Sequence, residues 1–332
     1  MRRMDSMRSA IVGALTVLVA LAATPILAAP IVVTDATDVF GPDAGAIYRI
    51  PEVGPVAKVA AGASLSSPSG TLYSRQDANG DEYFVSDIGS FFGLDDGAIF
   101  LAGDNRPTVT VWSGAPLSSP FGMLRIKNML YVADFGDPSP FEEDGAIYEL
   151  NLDPDGDKIE GPFPLAAPAL RTVYSGTPLF GVNQMVLLQG TMVLGADDSG
   201  SLYQIDLAGG QAPVAFGPSF NDPVGLCRKG SDFVVVDALS QEVYLVDQAG
   251  LNKTLLLSGG GSDQFLGCAV EADGNILVAN TGNLFSSATD GQVIRIGPSS
   301  VTIAYQGAPL ANPFAPAAPR SANSAKSTNS KH

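Results

Sequence analysis

The sequence predicts an all-β fold: a six-bladed β-propeller of four-stranded blades, its ring closed by strands from both ends of the chain. Three observations predict it. One string recurs six times: GAIYRI at Gly45, GAIFLA at Gly97, GAIYEL at Gly145, GSLYQI at Gly200, QEVYLV at Gln241 and GQVIRI at Gly291. Upstream of each copy a short apolar run ends in an acid or amide, at Asp35, Asp87, Asp134, Asp197, Asp237 and Asn280. Repeats of roughly 40–50 residues built from short apolar runs are the mark of propeller blades. Finally, GAPLANPF near the C-terminus copies GAPLSSPF at Gly114.

One full unit reads SPFGMLRI, NMLYVAD, GAIYEL, LRTVYSG. Alternation and β-branched enrichment make these four antiparallel strands. The first, 121–126, is inner. The second, 129–134, follows a tight turn, the third starts at Gly145, and the fourth ends near Tyr174. After residue 30 the chain opens on a second strand, 31–35, and its last repeat finishes on a fourth strand, 301–305. Residues 312–318 are therefore expected to supply the inner strand that blade one lacks. Such closure removes exposed edges. Pro316 weakens that pairing, having no N–H to donate.

The flanks read differently. Residues 1–29 carry Arg2, Arg3 and Arg8, then an apolar run over 10–23, then Ala28 and Ala29, the order of a secretory signal peptide. The propeller is assigned to 30–318 and a polar tail to 319–332, too poor in apolar residues to order itself. The protein is expected to be secreted or periplasmic, with no membrane span after cleavage. The net charge of −16 becomes more negative once the three arginines are removed. Such a surface repels nucleic acid and favours cations, basic partners or neutral ligands. Cys227 and Cys268 occupy near-equivalent places in adjacent repeats, and an oxidising compartment permits a disulfide between them. Their offsets from Gly225 and Gly267 differ by one residue, which leaves the relative direction of the two side chains open.

The stretch LGCAVEADGNILVANTGN…GQVIRI, residues 266–296, resembles an NHL repeat. It is also similar to six-bladed propellers of the TolB-like group, including gluconolactonase/senescence-marker and strictosidine-synthase-like proteins. The resemblance spans about residues 31–318 and implies the fold more than an activity, since one fold hosts many functions. For lactonases it implies a divalent metal at the channel mouth, held by Glu, Asn and Asp, with an Asn just before an inner-strand Gly. Here those positions read Ser69, Phe121, Phe180, Val224 and Leu266, and only Glu271 falls where an acidic ligand is expected.

Candidate site residues concentrate in the connections between second and third strands. Blades one, two, three and six carry long ones, each with an aromatic and a late acid: Asp38, Phe40 and Asp43; Phe92 and Asp96; Asp137, Phe141 and Asp144; Asn283, Phe285 and Asp290. Blades four and five have short turns. In a closed ring the four long connections are consecutive, forming an acidic, Phe-tipped wall around part of one rim. Loops on a rigid scaffold are where binding resides, although Asx residues also cap turns. The same oxygens suit Ca²⁺. So do Asn151, Asp153, Asp155 and Asp157, which match the front half of a calcium loop but lack its acidic last position. A Ser–His–Asp triad is excluded, because the one histidine is the terminal His332.

These readings favour a binding module that holds a small molecule or protein at one face, as a monomer. A lactonase-like metal hydrolase and a structural envelope protein are the alternatives.

Overall fold

The computed structural model describes residues 30–36, 45–61, 65–89, 96–136, 145–154, 163–166, 169–261, 263–282 and 290–317. The stretches assigned above to a signal peptide (1–29) and a polar tail (319–332) lie outside the described residues. Among the described residues, twenty-four strands form six antiparallel four-stranded sheets. Blade one is β1 (Ile31–Ala36), β2 (Gly45–Ile50) and β3 (Ala57–Ala61), completed by β24 (Pro313–Ala317). Blade two is β4 (Pro68–Asp77), β5 (Gly80–Asp87), β6 (Ala98–Gly103) and β7 (Val109–Ser113). Blade three is β8 (Pro120–Ile126), β9 (Met129–Asp134), β10 (Ala146–Asn151) and β11 (Leu170–Ser175). Blade four is β12 (Val182–Gln189), β13 (Met192–Asp197), β14 (Ser201–Asp206) and β15 (Val214–Phe216). Blade five is β16 (Pro223–Lys229), β17 (Asp232–Asp237), β18 (Glu242–Val246) and β19 (Lys253–Ser258). Blade six is β20 (Phe265–Val270), β21 (Ile276–Asn280), β22 (Gln292–Ile296) and β23 (Val301–Gln306).

Each second strand is apolar on both faces because both faces are covered. Successive side chains of a strand point to opposite sides, so each second strand feeds two cores. In β1, Val33 joins the core shared with blade six and Val32 the core shared with blade two. In β5, Phe84 packs toward blade three while Tyr83 and Val85 pack toward blade one. Six such inter-blade cores run round the ring, one between each neighbouring pair. Burying one Leu- or Phe-sized side chain contributes about 1.5–3 kcal/mol, so stability is spread around the whole circle.

The ring closes where β24 pairs with β1. The ladder shifts register between Val33 and Asp35, around Pro316, which sits opposite Val33. At the shift the Ala315 N–H turns to Thr34 Oγ1 (3.1 Å), so a side-chain oxygen replaces a ladder acceptor. Nearby, Asp35 accepts from the Ala311 N–H at 2.8 Å, and Ala36 exchanges bonds with Asn312.

Cys227 on β16 and Cys268 on β20 form a disulfide, with Cα atoms 5.9 Å apart. The stagger of neighbouring inner strands permits it. A Cβ on Gly225 would lie 2.5 Å from the Leu266 carbonyl, so Gly225 is level with Leu266, not with Gly267. Counting two residues on from each brings Cys227 level with Cys268. Both are buried in the core between blades five and six.

Candidate functional site

The registers decide which connections share a face. In blades two to six the first residue of the third strand pairs with the terminal Asx of the second, as Ala98 does with Asp87 and Ser201 with Asp197, and in blade one Asp35 pairs with Ala46, one residue in. The inner strand also starts at that end, with Pro68 opposite Asp87 and Pro223 opposite Asp237. The second-to-third connections and the crossovers between blades therefore emerge together, on what we term the loop face. The first-to-second and third-to-fourth turns lie on the opposite face.

Every blade has the same base on the loop face. The six terminal Asx residues are almost wholly buried, and each holds the incoming crossover by its backbone. Asp87 accepts from the N–H groups of Ser66 (2.8 Å), Ser67 (3.0 Å) and Gly89 (2.8 Å). Asp134 accepts likewise from Ser118, Ser119 and Gly136, and Asp197 from Phe180, Gly181 and Ser199. Asp237 takes Asn221, Asp222 and Ser240, while Asn280 takes Gln264 and Gly282. In return the residue after each Asx donates its N–H to a crossover carbonyl: Ala36 to Asn312, Ile88 to Ser67, Phe135 to Ser119, Asp198 to Gly181, Ala238 to Asp222 and Thr281 to Gln264. These reciprocal bonds satisfy backbone groups that burial would otherwise orphan. Burial pushes the Asp87 carboxyl up to about 6 against the three N–H donors that favour its charge, and it raises Asp197 as well.

The glycine that opens the repeated GAIY string has a steric cause. A Cβ on Gly45 would lie 2.2 Å from Pro68 Cδ, and on Gly97 2.5 Å from Pro120 Cδ. The third strand of one blade abuts the first residue of the next blade's inner strand. Only glycine leaves room there.

On this uniform base the blades differ sharply. The second-to-third connections span residues 37–44, 88–97, 135–145 and 281–291 in blades one, two, three and six, against 198–200 and 238–241 in blades four and five. Contacts between neighbouring inner strands run unbroken round the ring, so the four long connections are consecutive. Of the residues assigned to them, Asp38, Phe40, Asp43, Phe92, Asp137, Phe141, Asp144, Asn283 and Phe285 lie outside the described residues. Asp96 and Asp290 are described, and both sit at the foot of their loop. The Asp96 carboxylate lies where a Cβ on Gly89 (φ +69) would fall, and the Asp290 carboxylate lies beside Gly282 (φ +62). The two feet are built alike: Asx, any residue, Gly at positive φ, then the returning Asp.

The low sector over blades four and five carries a feature that spacing alone does not show. Asp198, on the short turn of blade four, lies close enough to Asp222 on the crossover into blade five to disfavour its ionisation. Burial first, then Asp198 and Asp237, push the Asp222 carboxyl up to about 8. Its Oδ1 is shut off from solvent without a hydrogen-bond partner. A crossover Asp meeting a turn Asp from the previous blade is visible only once the ring is built.

At the channel mouth, Phe314, Phe121, Leu266 and Ala36 form an apolar cluster, with Phe121 also 5.9 Å from Phe135 between ring centroids. The pairing registers correct the blade-four position used in the lactonase comparison. Met185 pairs with Gly195 as Met123 pairs with Val132, so Asn183, not Phe180, is equivalent to Phe121. The usual glycine is replaced by Gln184, whose Oε1 accepts from the Leu226 N–H at 2.9 Å. The sequence comparison missed Asn183 because it followed glycines; counting back from the terminal Asx finds it. Asn183 is buried, its Nδ2 directed at the Pro223 carbonyl (3.5 Å).

Of the remaining assigned residues, Asn151, Asp153 and Glu271 lie on the opposite face. Asn151 Oδ1 accepts from the Asp153 N–H (3.0 Å), a turn-capping bond, while Asp155 and Asp157 lie outside the described residues. Glu271 follows the end of β20, and its carboxylate is held by Arg295 Nε and Nη2 at 2.7 and 2.8 Å. Among the described residues, no three His, Cys, Asp or Glu side chains cluster as a metal site, and no helix is long and apolar enough to cross a membrane.

No family model matches this chain, and no curated protein matches it. Solved structures do. A chain of a nidogen/laminin complex superposes with a TM-score of 0.61 at 11% identity, over 87% of this chain and 97% of that one. A streptogramin B lyase superposes with a TM-score of 0.51 at 12% identity, over 79% of this chain and 76% of that one. The likeness is one of fold. The chain has the fold of the NHL-type propellers that its repeats resemble. One of these neighbours comes from a protein complex and the other is a lyase, so the shared ring does not decide an activity.

Proposed function

We propose that this protein is a secreted or periplasmic recognition module that holds a protein or small ligand against its loop face, through the acidic, Phe-tipped connections of blades six, one, two and three. The observation that carries the reading is the contrast on that face. Six blades share one hydrogen-bonded base, yet four consecutive ones bear long insertions that the ring does not need. Insertions on a rigid scaffold supply recognition. The likeness to a chain of a nidogen/laminin complex supports protein binding as a use of this fold. The Cys227–Cys268 disulfide and the N-terminal basic–apolar order support an oxidising compartment. Glu271 is occupied by Arg295, and the inner-strand positions equivalent to Asn183 are Ser69, Phe121, Val224, Leu266 and Phe314. That set favours binding over metal-dependent hydrolysis.

The test replaces residues 36–45, 88–97, 135–145 and 281–291 by the Asp-Ser-Gly turn of blade four. Immobilised wild type and variant are exposed to the secreted fraction of the source cells. Partners retained by wild type and lost by the folded variant support the reading. Identical retention by both contradicts it.

A further inference from the structure

The two faces of the ring differ in charge as well as in loop length. Among the described residues, every Lys and Arg lies on the half of its blade next to the opposite face. Arg75, Arg125 and Arg228 stand near the ends of inner strands, Arg49 and Arg295 near the ends of third strands, and Lys253 opens a fourth strand. Several meet acids there: Arg49 pairs with Asp81 and Asp104, Arg171 with Glu149, and Arg295 with Glu271. On the loop half the described charged side chains are all Asp or Glu. The net charge of −16 is thus spread unevenly, with both signs on one face and one sign on the other.

The opposite face also carries most of the exposed apolar surface. Five blades expose an aliphatic side chain at, or just before, the start of the fourth strand: Val53, Val109, Val214, Leu251 and Val301. Pro55, Pro107 and Pro298 are exposed in the same turns. In blade three that turn falls largely outside the described residues. Of the large hydrophobic side chains exposed among the described residues, only Phe180 and Leu239 belong to the loop face. One exposed valine needs no explanation. An aliphatic residue from each of five blades, all on one face around a belt of paired charges, has the mixed composition of a protein interface.

We propose that two copies of this chain dock back to back through their opposite faces, leaving both acidic loop faces pointing outward. The contact rests on the opposite face alone and replaces the monomer expected from the sequence. That the pair offers two recognition surfaces rests on the reading of the loop face above, and it would let one partner surface be held at two points.

Charge chooses the occupant. Two loop faces repel each other. A loop face against an opposite face is a heterologous contact, which does not close and propagates into an open chain. Two opposite faces bring both signs to both sides, so an isologous contact closes at two copies. An anionic lipid surface is opposed by the overall charge. The area suffices. A compact chain of this length has a radius of gyration of about 20 Å. A disc of that radius exceeds the roughly 800 Å² per partner of a standard interface.

The test is sedimentation equilibrium of the full chain up to about 100 μM, a range that detects contacts tighter than about 6 kcal/mol. Wild type is expected at twice the chain mass. Val53→Asp/Leu251→Asp puts like charges into the contact at two side chains that are each 80% exposed, so the cores between blades are untouched. It is expected to fold with an unchanged melting temperature and to associate at least tenfold more weakly. Leu239→Asp makes the same change on the loop face and is expected to leave the dimer intact. The chain with four shortened loops is also expected to dimerise as wild type does, whether or not the long loops hold a partner, which keeps this inference separable from the proposed recognition role. A wild-type monomer at the highest concentration, an open series of larger assemblies, an undiminished dimer in Val53→Asp/Leu251→Asp, or loss of the dimer in Leu239→Asp or the shortened-loop chain would each overturn it.

Discussion

The sector over blades six, one, two and three and the sector over blades four and five rest on the same base and carry different superstructures. In both, a buried Asx grips the backbone of the next crossover and receives a bond in return. Beyond that base, one sector extends into long acidic connections, while the other stops at short turns and leaves Phe180 and Leu239 in solvent. The difference teaches that the repeated Asp is scaffold. What distinguishes the blades is what the chain adds after it.

Closure is expected to be the largest effect, because both sectors depend on it. Ending the chain at Gln306 removes β24, strips blade one of its inner strand, and deprives Asp35 of the Ala311 N–H. The cost is expected to exceed about 5 kcal/mol, beyond ordinary point changes. A truncated chain with an unaltered denaturant midpoint would break the comparison at its foundation.

The staples come next. Asp134→Ala under a long loop and Asp237→Ala under a short turn each orphan buried N–H groups, at a cost of about 3 kcal/mol. The two costs should agree within about 1 kcal/mol if the bases are equivalent. A much larger loss at Asp134 alone would show that the long loops lean on their base more than the short turns do.

Calcium sharpens the contrast between the sectors. If the acidic connections hold Ca²⁺, the ion at 100 times its dissociation constant adds about 2.7 kcal/mol, read as a raised melting temperature. Asp137→Asn/Asp144→Asn should remove that rise, and Asp198→Asn/Asp222→Asn should not. A wild-type melting curve that calcium leaves unmoved would make the wall a solvated surface.

A further contrast is in pH. An unfolded Asp loses its proton near pH 4, whereas the native chain keeps one on Asp87 to about 6 and on Asp222 to about 8. Across that window the native state binds more protons than the unfolded one. Stability contributed by these groups is therefore full below about pH 4 and lost as pH rises toward 8. The melting temperature is expected to fall between pH 6 and 8 in wild type, and to fall less in Asp222→Asn. Identical slopes would remove Asp222 as the cause.

The ring was legible in the sequence because a propeller repeats its chemistry as well as its shape. The GAIY glycines mark a steric contact made in several blades, and the terminal Asx residues mark one bond pattern made six times. Even closure could be read, since GAPLANPF copies a string whose role in blade three is plain. Blade four broke the glycine rule: Gln184 stands where glycine was expected, so the motif comparison slid to Phe180 and passed over Asn183. The Asp198–Asp222 pair was invisible for a different reason. Its members belong to different blades, and the turn that brings them together is one the sequence marks only as short.

The central claim is that the long connections are additions to a self-sufficient ring. Its most direct test is the thermal unfolding of the chain in which all four are replaced by Asp-Ser-Gly. The account predicts one cooperative transition, with stability within about 1 kcal/mol of wild type, a shift of about 2–4 °C. Loss of cooperative unfolding, or a drop several times larger, would contradict it.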